Sequence, residues 1–342
     1  MNRPVPQSLY GASEAEAMAF REKTGGRVLA IAGNKAADAC DDAVVAALLK
    51  LLRRNHNFVA DNVAKELGAD PAAEDEKIFQ IARHLNAAVL RSIFLKDYMP
   101  YLTSGQHVPE VPPMPPMAEP SAPGKFGVNG SVELDLMFRG LAAMEPEDGP
   151  IAHNKGKGGM KTCEALIAAA NRRCGLPTRC NIPQRHADAE IAAVERARAV
   201  GVCALNEFRE QMGLQKWGSF EEMTREPELA TALASMYATV DDVELYTGLL
   251  CEYNVQNTGV MLPHTTHACA LPLNVVAADK FFQASRLADE AVYTEWGVEH
   301  VKSATLAGLI LEHTSRSELN IVEGASVFEV GAFAKEAPET PA

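Results

Sequence analysis

Apolar positions recur at helical spacing along nearly the whole chain. "SEAEAMAFREKTGG" opens on Ser13, a candidate N-cap, and stops at Gly25–Gly26. "DDAVVAALLKLLRRNHNFVADNVAKELG" begins on Asp41 and Asp42, which suit the positive end of a helix dipole, and Gly68 is its expected stop. "AAEDEKIFQIARHLNAAVLRSIFLKDYMPYL" predicts a second long amphipathic helix, ended at or before Pro100. Shorter helices come next in "SVELDLMFRGLAAM" and "MKTCEALIAAANRR". "ADAEIAAVERARAVGVCALNEFREQMG" is longer and breaks near Gly201. "SFEEMTREPELATALASMY" starts with Ser219 followed by acids, a helix-start signature. "VDDVELYTGLLCE", "LPLNVVAADKFFQAS" and "SATLAGLILEHT" complete the set. No run of alternating strands and no repeat is present, so the expected class is mainly α, with little or no β-sheet.

Proline density interrupts this pattern once. "VPEVPPMPPMAEPSAPG" forbids helix and sheet interior, which predicts a stiff, extended connector over 108–128. The expected layout is N-terminal helices over 1–107, the connector, C-terminal helices of the same domain over 129–332, and a flexible tail over 333–342.

One helix carries an anomaly. In "LLRRNHNFVADNVAKEL", residues 51–67, five polar side chains interrupt the apolar run. Leu49, Leu52, His56, Val59 and Val63 fall on one face, and Arg53, Arg54 and Asn57 flank it. A buried imidazole needs a hydrogen-bond partner, and Asn or Arg on a neighbouring helix is the expected supplier. A metal-binding or catalytic histidine is the competing reading.

Composition narrows the classes. The formal charge of −13 opposes nucleic-acid binding and charge-driven docking on an anionic membrane. Seven cysteines, at 40, 163, 174, 180, 203, 251 and 269, fit reduced thiols better than a disulfide framework. No apolar run approaches the ~20 residues of a membrane span. The opening "MNRPVPQSLYGASEAEAM" lacks a signal-peptide core, so a cytoplasmic location is expected.

Four local constellations bear on chemistry. "NKGKGGMKTCEAL" places Lys155, Lys157 and Lys161 near a helix start, but the phosphate-loop glycines fall on Lys155 and Met160, so a surface loop is the simpler reading. "LPHTTHACALPL" holds His264, His267 and Cys269, ligands suited to zinc or iron, set against a packed polar turn because the set is incomplete. His84 lies on or beside an apolar stripe and reads as structural. "CNIPQRHADAE" brings Cys180, Arg185 and His186 ahead of a helix that Asp188 is expected to cap.

An ordered set of segments resembles the animal-type haem peroxidase superfamily, nearest its cyclooxygenase and fatty-acid dioxygenase branch. "RNHNFVADNVAKEL" with "DEKIFQIARHLNAAVLRSIFLKDYMPYL" is similar to the Arg-Glu-His-Asn helix and its successor. "SLYGASEAEAMAFREKTGGRV" resembles the Tyr-Gly segment, and "ERARAVGVCALNEFREQMGL" the Arg-x-Arg and Asn-Glu-Phe-Arg stretch. "SFEEMTREPELATALASMYATVDDVELYTGLLCE" resembles the family's next segment and "EWGVEHVKSATLAGLILEHTS" its closing helices, so the likeness runs over roughly 8 to 330. It implies a helical peroxidase-like fold, a haem cofactor, and oxidation of a small apolar or lipid substrate. It places Arg196 and Arg198 near haem propionates, unless they only bridge helices as ion pairs.

The departures from the family sit at its chemical centre. The resemblance puts the proximal histidine at Leu141, the radical tyrosine at Phe138 and the histidine-orienting asparagine near Ala193. No histidine occurs between Asn129 and Gly149. The distal-arginine region reads "AGNKAADACDDA", with Lys35 its only cation, and the distal-histidine segment is expected to be missing ahead of the Tyr-Gly stretch. Leucine cannot ligate iron, and phenylalanine has no O–H to yield. What persists is a frame: Arg54, His56, Asn57, Arg196, Arg198, Gly201, Asn206 and Arg209. Three readings remain: a haem oxidoreductase with an unorthodox ligand from His264, His267 or His84; a non-catalytic binding protein or partner of itself or of a second chain; an enzyme with a different metal in the vacated pocket.

Overall fold

A computed structural model describes residues 7–11, 13–29, 43–98, 132–139, 187–256, 261–269 and 293–314, with positions 100, 179, 182 and 184. The expected connector and tail, Asp41 and Asp42, the lysine loop, Cys180, Arg185, His186 and Leu141 lie outside them. The described part is helical, with three isolated bridges and no strand. No described helix is long and apolar enough to cross a membrane.

In chain order the helices are α1 (Gln7–Tyr10), α2 (Glu14–Ala19), α3 (Ala43–Leu67) and α4 (Asp75–Ile93). After them come α5 (Val132–Arg139), α6 (Ala187–Val200), α7 (Leu205–Gln211), α8 (Phe220–Thr224) and α9 (Pro227–Met236). Last are α10 (Leu245–Cys251), α11 (His264–Cys269), α12 (Glu295–Ser303) and α13 (Leu306–His313).

Their ends obey the expected local chemistry. Ser13 and Ser219 accept from the amides of Glu16 and Glu222, satisfying donors that a helix start leaves open. At Gly201 φ is +74°, which lets the amides of Gly201 and Val202 turn back onto the carbonyls of Arg198 and Ala197. Gly68 closes α3 in the same way. One expectation needs correction. Asp188 lies inside the first turn of α6 and favours it by charge, not as the residue ahead of it. The second long helix ends before Pro100, as expected: it stops at Ile93 and widens into a π-turn over Phe94–Tyr98. That turn is tied to the C-terminal helices, for Asp97 Oδ2 accepts the Leu306 amide at 2.6 Å and Lys96 donates to the Lys302 carbonyl.

Two hydrophobic cores result. The N-terminal core joins α1, α3 and α4 to α12 and α13, from Leu51, Val59, Ile78 and Leu85 to Val301 and Ile310. The C-terminal core joins α5 and α7 to α11 around Leu136, Leu205, Met223, Leu233 and Leu249. Chain beginning and chain end therefore share one core.

Candidate functional site

His56 lies at the bottom of the N-terminal core, with 0% exposure, and Leu49, Leu52, Val59 and Val63 are buried along its stripe. Its partners are not the expected Asn or Arg of a neighbouring helix. The Asn86 amide donates to Tyr10 Oη at 2.9 Å, so the tyrosine hydrogen goes to His56 Nδ1 at 2.8 Å. His56 Nε2 then donates to the Gly26 carbonyl at 2.8 Å. Both ring nitrogens are thus used, and burial pulls the imidazole down to about 4. The histidine is a structural, neutral cross-tie.

The Tyr-Gly and Gly-Gly segment is what receives it. Gly26 has φ +68°, and a Cβ there would lie 2.4 Å from the Phe79 amide nitrogen. Its own N–H donates to Asp75 Oδ1 at 2.6 Å. Arg21 reaches the same carboxylate at 2.6 Å, pairs with Glu76, and lies 4.1 Å from the centre of the Phe79 ring. Asn57 exchanges two hydrogen bonds with the Val28 backbone, at 2.8 and 3.0 Å. Each family-like residue of this segment therefore holds backbone or helix in place.

The ladder continues outward. Asn86 donates to the Leu52 carbonyl, and Asn55 Nδ2 donates to Asn86 Oδ1 at 2.7 Å. Asn55 Oδ1 in turn faces His300 Nε2 at 3.0 Å and His313 Nε2 at 3.2 Å. His84 Nδ1 is bound by the Tyr293 hydroxyl at 3.2 Å, a structural contact.

The C-terminal core is built around charge. Arg209, on α7, donates through Nε and Nη2 to the Gln215 carbonyl at 2.9 and 2.6 Å. Its Nη1 reaches Thr265 Oγ1 at 2.7 Å and His264 Nδ1 at 3.1 Å, and its plane lies 3.9 Å from the Trp217 ring centre. Glu252 stands 3.7 Å away, fully buried, accepting the Thr265 amide at 2.6 Å and its hydroxyl at 2.7 Å. Burial pushes Glu252 up to about 7 against those bonds. Asn206 clamps the Trp217 backbone from both sides and reaches Asp241 at 2.7 Å.

This arrangement bears on the metal candidates. The expected polar turn is the short helix α11, and it does place His264 and His267 at i and i+3. His264 Nδ1 is spent on the Arg209 cation, its ring lies 5.2 Å from Trp217, and burial pulls it down to about 4. Burial pushes the Cys269 thiol up to about 11, so it stays protonated. Among the described residues no three His, Cys, Asp or Glu side chains gather to hold a metal ion.

The haem-related positions are partly in view. Phe138 and Ala193 pack against the C-terminal core beside Leu136 and Met137. Arg139, next to Phe138, pairs with Glu190 of α6 at 3.1 Å, and Tyr246 donates to the same carboxylate. Arg196 and Arg198 are both exposed, and Arg198 Nη2 donates to Glu244 Oε2 at 3.0 Å. A histidine-ligated haem needs an imidazole lone pair, and the residue that the resemblance puts at the ligand position, Leu141, carries none.

Residues 18–116 and 177–324 match the family model for animal haem peroxidase. The chain belongs to that family. The 7,8-linoleate diol synthase of Pyricularia oryzae is 26% identical over 310 residues, 70% of this chain and 26% of that protein. Prostaglandin G/H synthase 2 of Gallus gallus is 26% identical over 219 residues, 58% of this chain and 34% of that protein. The fatty acid alpha-dioxygenase of Oryza sativa shares the fold, with TM-score 0.71 and 17% identity over 97% of this chain and 66% of that one. Peroxidase A of Dictyostelium discoideum does too, with TM-score 0.62 and 18% identity over 91% of this chain and 68% of that one. The family is haem-dependent, its solved relatives are helical, and this chain spans about a quarter of the diol synthase it matches.

Three partnerships were not legible in the sequence: Tyr10 and Gly26 with His56, Glu252 with Arg209, and His300 and His313 with the Asn55 amide oxygen. The family-like segments already held Tyr10, Gly26 and Glu252, and that was the available signal.

Proposed function

We propose that this chain carries the animal haem peroxidase scaffold without its histidine-ligated haem centre and works as a non-catalytic binding or partner subunit. What carries this reading is that no histidine occurs between Asn129 and Gly149, where the resemblance puts the proximal histidine at Leu141 and the radical tyrosine at Phe138. Phe138 and Ala193 serve as apolar filling for the second core, so the change is integrated into the packing. The family residues that persist have structural work: His56 joins Tyr10 to Gly26, and Arg209 neutralises Glu252. On the partner side, none of the described side chains of α6 is buried, and Ile191 and Val200 are each 57% exposed. A second copy, a second protein chain or a small apolar ligand is the expected occupant of such a scaffold.

The second reading is haem-dependent oxidation of an apolar or lipid substrate, with iron held by an unorthodox ligand. The family match over most of the chain favours it. One titration separates the two. Purified protein is mixed with haem and its absorption followed. The binding-subunit reading expects no saturable Soret change and no peroxidase turnover. A 1:1 Soret band abolished by H267Q or H84Q supports the second reading and sinks the first.

A further inference from the structure

Helices α12 and α13 are tied to the first core through one side-chain oxygen, and the hydrogens there are fixed link by link. The Leu52 carbonyl only accepts, so Asn86 turns Nδ2 to it at 3.0 Å and offers Oδ1 to Asn55. Asn55 Nδ2 donates to that oxygen at 2.7 Å, which leaves Asn55 Oδ1 as an acceptor. His300 of α12 and His313 of α13 meet it through Nε2 at 3.0 and 3.2 Å, so each neutral ring carries its hydrogen on Nε2. Any further proton must go to Nδ1 and make a cation.

We propose that His300, His313 and Asn55 form an acid-sensitive latch, which holds the α12–α13 pair against α3 at neutral pH and releases it as both imidazoles take up protons. Both Nε2 atoms bond one oxygen, so they lie within about 6 Å of each other. Two imidazoliums at that spacing repel strongly where water is scarce. Arg54 of α3 adds a third positive charge, donating to the His313 carbonyl at 2.6 Å. Glu312 of α13, 3.7 Å from His313 Nε2, offsets part of the repulsion from the solvent side. Trp296 stacks on His300 at 4.9 Å and favours a first imidazolium there, so the conflict comes with the second. Helix α4 meets the pair through the neutral Asn86, and Lys96 of the π-turn donates to the Lys302 carbonyl of α12. Burial already holds both rings below the ordinary histidine range, His313 at about 4. Opened histidines take up protons near 6.5, so closure is strongest above that pH and weakens towards 4. Asp97 accepts the Leu306 amide at 2.6 Å and has the opposite sign, because burial raises its carboxyl. Helix α13 has eight residues and buries Leu309 and Ile310, too short a helix to persist once detached.

The latch is independent of the haem question. Hydrogen exchange of the full chain, corrected for intrinsic rates, reads it. At pH 7.5 and at pH 5.0, α12 and α13 should exchange faster than α3, and their protection should fall at least about tenfold between the two. The double variant H300Q/H313Q keeps an N–H for Asn55 at both positions and cannot titrate, so its fall there should stay under about threefold. Wild-type protection of α12 and α13 that acid leaves unchanged overturns the proposal. So does a double variant whose protection falls as far as the wild type's. If that variant does not fold, wild-type exchange followed in steps from pH 6.0 to pH 5.0 decides. Opening of α12 and α13 linked to more than one proton, with α3 still slower, upholds a latch of two imidazoles. Linkage to one proton or fewer, or loss of protection together with α3, overturns it.

Discussion

The hydrogen-bond ladder through the N-terminal core is neutral, with the buried Arg21–Asp75 pair at its edge, whereas the buried network of the C-terminal core is centred on an ion pair. From Gly26 through His56, Tyr10, Asn86 and Asn55 to His300 and His313, every link is a hydrogen bond between uncharged partners. Across the molecule, Arg209 and Glu252 are buried to 2% and 0% side-chain exposure, with Thr265 between them. A neutral ladder loses one rung at a time. A buried ion pair fails as a unit, because removing one partner leaves the other's desolvation uncompensated. The family-like residues are divided between these two devices, and in both they do structural work.

Four perturbations separate the two cores. The largest effect is expected from R209M, which leaves Glu252 buried without its counter-charge. A loss of about 3–5 kcal/mol in urea unfolding is expected, with exchange protection lost first in α7, α10 and α11. Equal loss of protection in α3 and α4 would show that the two cores unfold together.

Acid acts on the other side. The folded pKa of His56, about 4, lies below its ordinary 6.5, so the unfolded chain takes up the proton first as pH falls. Its stabilising contribution is present above about pH 6.5 and is lost on the way to 4, about 3 kcal/mol in all. His313 acts in the same direction, for burial pulls it down to about 4. In the C-terminal core His264 has this sign too, but Glu252 reverses it. With a folded pKa near 7, Glu252 is still substantially ionised beside Arg209 at pH 7 and takes up its proton before the unfolded chain does as pH falls, so its contribution improves from 7 towards 4.5. Hydrogen exchange compared at pH 7 and pH 5 should therefore show α3 and α4 opening before α7 and α10. The reverse order would refute the neutral–charged contrast.

A smaller effect is expected from H56L. It keeps the apolar volume but strands the Tyr10 hydroxyl and the Gly26 carbonyl, at a cost of about 2 kcal/mol. Thermal melting measures it, and proteolysis near Phe20 should accelerate as the N-terminal segment loosens. The smallest effect belongs to R198A. Its ion pair with Glu244 is solvent-exposed, so the melting temperature should not move measurably. A distinct drop in haem affinity in R198A would favour the propionate role over the helix-bridging one.

Much of this was legible in the letters. Helical period placed His56 on the buried stripe, because a period of 3.6 aligns 49, 52, 56, 59 and 63 without knowledge of anything else. Ser13, Ser219 and Gly201 marked helix ends for reasons local to a few bonds. That Leu141 carries no lone pair was equally legible, since it concerns an atom type. Partners were not. Tyr10 lies 46 residues from His56, and Gly26 lies 30 away. Arg209 and His264 are separated by 55, and Asn55 and His313 by 258.

The amino-acid order alone determined the helical class, the capping and the buried face of α3, because each stems from short-range sterics or from the atoms a residue carries. Only the folded arrangement decided that His56 would be a neutral cross-tie, that Arg209 would find Glu252, and that two histidines would meet at one amide oxygen. Those outcomes depend on which distant backbone and side-chain groups share a water-free interior, where every polar atom must find whatever partner the packing brings within about 3 Å.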